Sequence, residues 1–317
     1  MKATDPHLFC FGLGFSGQAL ARLALARGWR VSGTVRSEAK AAQLQAQGID
    51  ALVLDTDAVD QLPDDVIEAI KRSSHLLQSV GTARSGDDPV LPLLAQAAEV
   101  TATDWAPDWF GYLSTTVVYG DWQGAWVSED SETRSTSTRG LARLRAEAEW
   151  TGLSTTKGLG LHVFRLAGIY GPGRNALETV LAGKARIIDK PDQVFSRIHV
   201  EDIATAVFAS MTAPTAPAGA AEVFNVCDDE PCPPGTVISH ACDLLNRPVP
   251  TPVSMDEAGL SAMGRSFYAD NKRVSNQKLQ DRFGWTPAFP TYREGLAALL
   301  PDVITRTGSG DVDQGSD

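Results

Sequence analysis

The chain has 317 residues, 43% of them hydrophobic and 21% charged, with a net charge of −11 and a pI near 4.9. Length and composition fit one large α/β domain or two unequal ones with a substantial apolar core. An acidic chain with no basic stripe is not expected to bind nucleic acid, and any phosphate-bearing ligand must be met locally by backbone N–H groups and a few placed arginines.

The opening segment, MKATDPHLFCFGLG, lacks the basic region, long apolar core and cleavage site of a secretion signal. Nowhere do about 18 apolar residues run together, so no membrane span is expected. His7 to Phe11 is a short apolar run that ends in glycines. Gln18 to Arg27 is rich in strong helix formers and stops at Gly28. Trp29 to Val35 reads as a second strand, and Ser37 can cap a helix that continues to Gln47. Ile49 to Leu54 reads as a third strand closed by Asp55, and His75 to Val80 as a fourth. Pro89 to Glu99 looks helical, and Phe110 to Ser114 begins a fifth strand. Such a β-α-β series, with crossovers long enough for helices, gives a doubly wound parallel sheet.

Beyond Gly120 the pattern loosens. Ser128 to Arg139 is polar and loop-like, Leu141 to Trp150 helical, and Leu161 to Gly168 another strand. Met211 to Ala221 is a Pro/Ala-rich connection, and Cys227 to Pro252 reads as loop-rich. The acidic, Gly/Ser-rich tail 306–317 is expected to be disordered. The cysteines Cys10, Cys227, Cys232 and Cys242 have no partner pair at zinc spacing, so no metal site is expected. A reduced, cytoplasmic setting is the simpler reading. Trp105, Trp109, Trp122 and Trp126 are expected to cluster around the fifth strand as core and rim.

Residues 12–17, GLGFSG, place Gly12, Gly14 and Gly17 at GxGxxG spacing between an apolar strand and a helix, the context this motif requires. Gly12 allows a tight turn, Gly14 leaves room for a pyrophosphate, and Gly17 lets helix and strand approach closely. Phe15 and Ser16 lie in the same turn, at a helix N-terminus suited to phosphate. The second strand ends in Gly33-Thr34-Val35-Arg36-Ser37, without the acid that usually holds the ribose of NAD. Arg36 can instead pair with a 2′-phosphate. NADP(H) is therefore favoured, with NAD(H) the alternative. A methyltransferase using a similar turn for S-adenosylmethionine is a distant third.

Several segments together resemble the extended short-chain dehydrogenase/reductase superfamily, also described as NAD-dependent epimerase/dehydratase. They are YLSTTVVYG (112–120), FRLAGIYGPGR (164–174), RIHVEDIATAV (197–207), VFNVCDDEP (223–231) and the closing stretch 270–296. The resemblance implies a Rossmann domain over 1–165, its sheet completed by parts of 195–230. A smaller substrate-binding region over 166–305 follows, with the active site between them. It also implies a cofactor site that takes in Asp55. In the family's usual GxxGxxG, the first position falls on Phe11.

The resemblance implies a catalytic Ser/Thr at Thr115 and a Tyr-x-x-x-Lys pair at Arg139 and Arg143. The sequence there is RGLAR, so the tyrosine is absent. Arginine stays protonated and is a poor proton shuttle. Arg139 can still stabilise an oxyanion, and Arg143 can keep the lysine's ribose-holding role. Tyr170 is a candidate replacement donor, although packing suits it better. His199 reads as structural, Asp202 as the cap of the next helix, and Arg174 as a possible contact for an anionic substrate. The family's substrate-binding arginine falls on Phe195, with Arg197 two positions off. Two functions remain open. One is an NADP(H)-dependent oxidoreductase or epimerase-like enzyme for a small carbonyl or sugar-type substrate, with a homodimer allowed. The other is a catalytically silent dinucleotide-binding sensor or scaffold.

Overall fold

The computed structural model describes residues 5–97 and 106–308. Five parallel strands arise from the first half: β1 (His7–Phe11), β2 (Arg30–Val35), β3 (Asp50–Val53), β4 (His75–Gln78) and β5 (Trp109–Thr115). Helices α1 (Phe15–Ala26), α2 (Glu38–Gln45), α3 (Asp64–Arg72) and α4 (Leu91–Gln96) lie between them. The longer α5 (Thr138–Lys157) leads to β7 (Leu161–Leu166), after the two-residue β6 (Trp126–Val127). Later in the chain come β8 (Gly168–Tyr170), α6 (Ala176–Leu181), β9 (Arg197–His199), α7 (Val200–Thr212) and β10 (Ala221–Val226). Helix α8 (Pro234–Leu244), α9 (Ala262–Phe267), β11 (Arg273–Val274), α10 (Gln277–Phe283) and α11 (Tyr292–Gly308) complete the order.

The central sheet runs β10-β7-β5-β4-β1-β2-β3, and every adjacent pair is parallel. All residues of β1, β4 and β7 are buried, as expected for parallel strands covered on both faces. One face packs on α1 and α7 through Leu20, Ala24, Ile203 and Val207. The other packs on α3, α4 and α5 through Val66, Ile70, Leu94 and Trp150. A third core joins α6, α8 and α11 through Leu177, Val237, Ala241, Tyr292 and Leu296, and forms the base of the C-terminal lobe. This is the doubly wound α/β fold with a smaller second lobe. No described helix is long and apolar enough to cross a membrane.

Several elements differ from the sequence reading. Helix α3 lies in a stretch assigned to no element, although it buries Val66, Ala69 and Ile70 on one side. The strand expected over 161–168 ends at Leu166, and Gly168 opens β8, which leaves the main sheet to pair with β9. The stretch read as loop-rich contains α8. The expected helix through Glu99 is observed to Gln96, and residues 98–105 lie outside the described residues. Helix α11 runs into the supposed tail as far as Gly308, and 309–317 lie outside the described residues.

The tryptophans do not form one cluster. Trp109 opens β5 among His75, His162 and Phe164. Trp122 and Trp126 lie beyond the other end of that strand, Trp122 under the Arg134 guanidinium and Trp126 58% exposed. Trp105 lies outside the described residues.

Candidate active site

Strand order reverses between β1 and β4, and in open α/β sheets the crevice at the carboxyl ends of such strands is the ligand site. A cavity of about 1120 Å³ opens there. The sheet side contributes Gly14–Gly17, Ser79, Ser114, Thr115 and Arg143, and the C-terminal lobe contributes Arg174, Phe195, Tyr268 and Lys272.

The glycine turn is shaped by close packing on two sides and by space on the third. Gly12 has φ +84°, and a Cβ on it would come within 2.8 Å of Val80 Cγ2. A Cβ on Gly17 would meet the Gly12 carbonyl oxygen at 2.6 Å. At Gly14 a Cβ would find nothing within 4 Å, and the residue is the N-cap of α1 with no side-chain cap. The first-turn N–H groups of a helix have no intrahelical acceptor, so they face open space at the positive end of the dipole. That arrangement fits a dinucleotide pyrophosphate. Gly12, Arg36 and Asp55 are outside the cavity wall. Arg36 is exposed after the last residue of β2. Asp55, just past β3, turns its carboxylate back to accept from the Asp57 N–H at 3.2 Å.

At the other end of the cavity, Thr115 closes β5 half-buried. Its Oγ1 accepts from the Val117 N–H at 3.3 Å. A hydroxyl that accepts in this way still has its own hydrogen to give. Arg143 is anchored on β5: its Nη1 donates to the Tyr112 hydroxyl at 2.9 Å and to the Leu113 carbonyl at 3.0 Å. Its Nη2 lies 3.6 Å from the point a Gly81 Cβ would occupy, beside the loop after β4. Arg139 lies one turn earlier on α5, with its guanidinium 4.8 Å from the Phe267 ring centroid.

Sequence reasoning gave no sign of what holds this end of the sheet in place. Glu147, buried on α5, takes a paired contact from Arg165 of β7, at 3.1 Å from Nε and 2.8 Å from Nη2. It also accepts from Ser114 Oγ at 2.5 Å. Burial would push the Arg165 guanidinium down, but its hydrogen bonds and charge contact with Glu147 outweigh this and raise it. Phe267, Tyr268, Asp270 and Lys272 also escaped notice as cavity residues, because only the folded chain brings 266–274 over the carboxyl end of β5.

Of the polar candidates, Asp202 is placed differently from the sequence reading, while Tyr170 takes the packing role and His199 the structural one. The Tyr170 hydroxyl is buried without a hydrogen-bond partner and packs where a Gly295 Cβ would be, 2.0 Å away. It is turned toward α11, and burial raises its pKa, so it is no replacement proton donor. His199, not Asp202, caps α7, its Nδ1 accepting from the Glu201 N–H at 3.3 Å. Asp202 instead accepts from the N–H groups of Ala288 and Phe289 at 2.7 and 3.0 Å, tying the closing segment to α7. Arg174 is exposed at the cavity edge. Arg197 Nη1 is turned to the carbonyls of Phe195 and Cys232, at 2.9 and 3.3 Å. All four cysteines are buried and free.

Fold, glycine turn and cavity together define a Rossmann protein of the nicotinamide-dinucleotide-dependent oxidoreductase and epimerase class. The chain belongs to the NAD dependent epimerase/dehydratase family, which matches residues 12–227. Protein YeeZ of Escherichia coli K12 is 27% identical over 220 residues, covering 68% of this chain and 75% of that protein. A conserved protein of unknown function from Silicibacter pomeroyi has a solved structure 42% identical, with a TM-score of 0.80 over 94% of this chain and 99% of its own. The UDP-glucuronic acid 4-epimerase of Bacillus cereus, solved with UDP-glucuronic acid and NAD, shares the fold. It is 18% identical, with a TM-score of 0.72 over 95% of this chain and 99% of its own.

Proposed function

We propose that the chain is an NADP(H)-dependent oxidoreductase or epimerase-like enzyme acting on a carbonyl or sugar-type substrate. The observation that carries this reading is the continuity of one cavity from the open α1 N-terminus at Gly14 to Thr115 and Arg143. When bound, the dinucleotide supplies or accepts hydride. The chain's own residues bind and orient. Thr115 can give its hydroxyl hydrogen to a substrate oxygen, and Arg143, fixed by Tyr112 and Leu113, presents its remaining donors toward the ribose side.

A proton shuttle of the usual kind is missing, since residue 139 is arginine and Tyr170, though it lines the cavity, has its hydroxyl packed against Gly295. The proton therefore comes from water in the open cavity, and hydrogen bonding to the developing charge carries the rate. The same observation supports a second reading, a dinucleotide sensor without turnover. A panel of activated carbonyls and sugar nucleotides separates the two, because a sensor gives no NADPH-dependent turnover with any of them.

The cofactor preference turns on Arg36. The epimerase from Bacillus cereus carries NAD, whereas an exposed arginine at the end of β2 suits a 2′-phosphate. NADPH is expected to bind about tenfold or more tightly than NADH, since a charge-assisted pair contributes roughly 1.5–3 kcal/mol. Arg36→Ala should remove most of that gap in calorimetry, and equal affinities in the wild type would refute the preference. Gly14→Val should abolish dinucleotide binding with the circular dichroism unchanged, because its side chain enters the space left for the pyrophosphate. Retained binding would move the cofactor elsewhere.

A further inference from the structure

In a protein of net charge −11, the cavity wall carries the opposite sign. Arg139, Arg143, Arg174, Arg186, Arg197 and Lys272 line it, against one carboxylate, Asp270. Asp270 is already taken by Lys272 at 3.7 Å. Among the described residues, none of the five arginines has an acidic group within ion-pair distance.

Three of the five are occupied by neutral partners. Arg143 is held by β5, Arg186 by the carbonyls of Gly183 and Ala185, and Arg197 by those of Phe195 and Cys232. Arg139 is different. It stands in the first turn of α5, where the helix dipole disfavours a cation, and that turn contains no acid. A second guanidinium, Arg143, follows four residues on, and like charges at that spacing repel. The Arg139 guanidinium carbon lies 4.8 Å from the Phe267 ring centroid, and the residue lines the cavity, where its N–H donors are available to a ligand. Although the residue is exposed at the cavity rim, partial burial of its guanidinium first, and Arg143 second, push its pKa down, countered in part by the Asp270 charge. The helix-start position, the neighbouring guanidinium and the partial burial each cost free energy in the unliganded protein, and each is relieved by an anion at the N–H edge.

We propose that Arg139 receives an acidic group of the substrate, a carboxylate or a phosphate, so that the substrate of this cavity is an anion. The proposal rests on the reading of the cavity as a substrate site. It makes the residue at the family's tyrosine position a binding and specificity residue, not an acid/base.

The test is calorimetry on the protein saturated with reduced dinucleotide, using malonate and inorganic phosphate as anions and malonamide as the uncharged counterpart of malonate. At least one anion should bind tenfold or more tightly than malonamide. The stronger anion shows whether the group is a carboxylate or a phosphate. Arg139→Gln should weaken anion binding at least tenfold, Arg139→Lys should restore part of it, and Arg247→Gln, at an exposed arginine outside the cavity lining, should change it less than twofold. Dinucleotide affinity and melting temperature should be unchanged or higher in Arg139→Gln, because a disfavoured cation has been removed. Undiminished anion binding in Arg139→Gln, no anion binding by the wild type, or a melting point lowered by several degrees overturns the proposal. Failure of the dinucleotide itself to bind would count against the proposed function instead, and the same titrations on the cofactor-free protein would still decide the role of Arg139.

Discussion

At Thr115 one hydroxyl has two tasks. It caps the short turn after β5 through the Val117 N–H and keeps a hydrogen for a ligand in the cavity. Arg143 has the complementary arrangement, with one nitrogen spent on β5 and the rest of the fork facing the space where a ribose would lie. The two substitutions should therefore separate. Thr115→Ala should lower turnover about 10²–10³-fold, the usual loss when one donor to a developing oxyanion is removed, and leave dinucleotide affinity nearly unchanged. Arg143→Ala should lower both. Steady-state kinetics with cofactor titrations would check this, and wild-type turnover in both variants would mean the site has been misplaced. Arg139, four residues away, stands where the family resemblance implies a tyrosine, and an arginine there is a poor proton shuttle.

The elements that place these residues depend on contacts between segments distant in sequence. Helix α5 is pinned to β7 and β5 through Glu147, which takes Arg165 on one side and Ser114 on the other. Glu147→Gln leaves the Arg165 charge buried without its counterion and should cost about 3 kcal/mol or more. A urea midpoint lowered at constant slope would report that loss, and a change below about 1 kcal/mol would mean the pair is replaceable. This division explains what the sequence disclosed. The glycine turn, the first five strands and helices α1 and α2 were legible because each is encoded locally, by apolar runs, glycine punctuation and, for α2, the capping Ser37. The Glu147–Arg165 pair, the capture of Ala288 and Phe289 by Asp202, and the lid formed by Phe267 to Lys272 were not. They join residues 18 to more than 100 positions apart, and no local pattern marks their partners. Asp202 was misread for that reason, since an acid in the first turn of a helix looks like a cap, and only the fold shows that it binds another segment. For Tyr170 the packing role was legible, but the direction of its hydroxyl, toward Gly295, was not.

Across the whole molecule, buried titratable groups oppose one another in a way that sets a pH window. Burial pushes His162 and His199 down to about 4, and lowers His7 and His75 as well. In the unfolded chain these rings take up protons near pH 6.5. Their contribution to stability is therefore complete above that pH and is lost as pH falls toward 4. Asp228 behaves oppositely. It is buried at the end of β10, and burial raises its carboxyl to about 8, partly countered by the Arg197 charge. Its folded pKa exceeds its unfolded value, so its contribution is complete below about pH 4 and is lost as pH rises through 8. Raised Asp202 and Glu129 act in the same direction and make the acid limb shallower. Each proton of difference is worth about 1.4 kcal/mol per pH unit. Four lowered histidines outnumber three raised carboxylates between pH 4 and 6.5, and Asp228 still acts between 6.5 and 8. Stability should therefore peak near pH 6.5 and decline on both sides. Denaturant melts from pH 4.5 to 9 would trace the curve. Asp228→Asn removes the titrating group without changing its size, and should flatten the alkaline limb and steepen the acid limb, where Asp228 opposes the histidines. An alkaline decline that survives in that variant would assign it to another group, and a wild-type curve without an acid limb would mean that the histidines are not buried neutral as the fold requires.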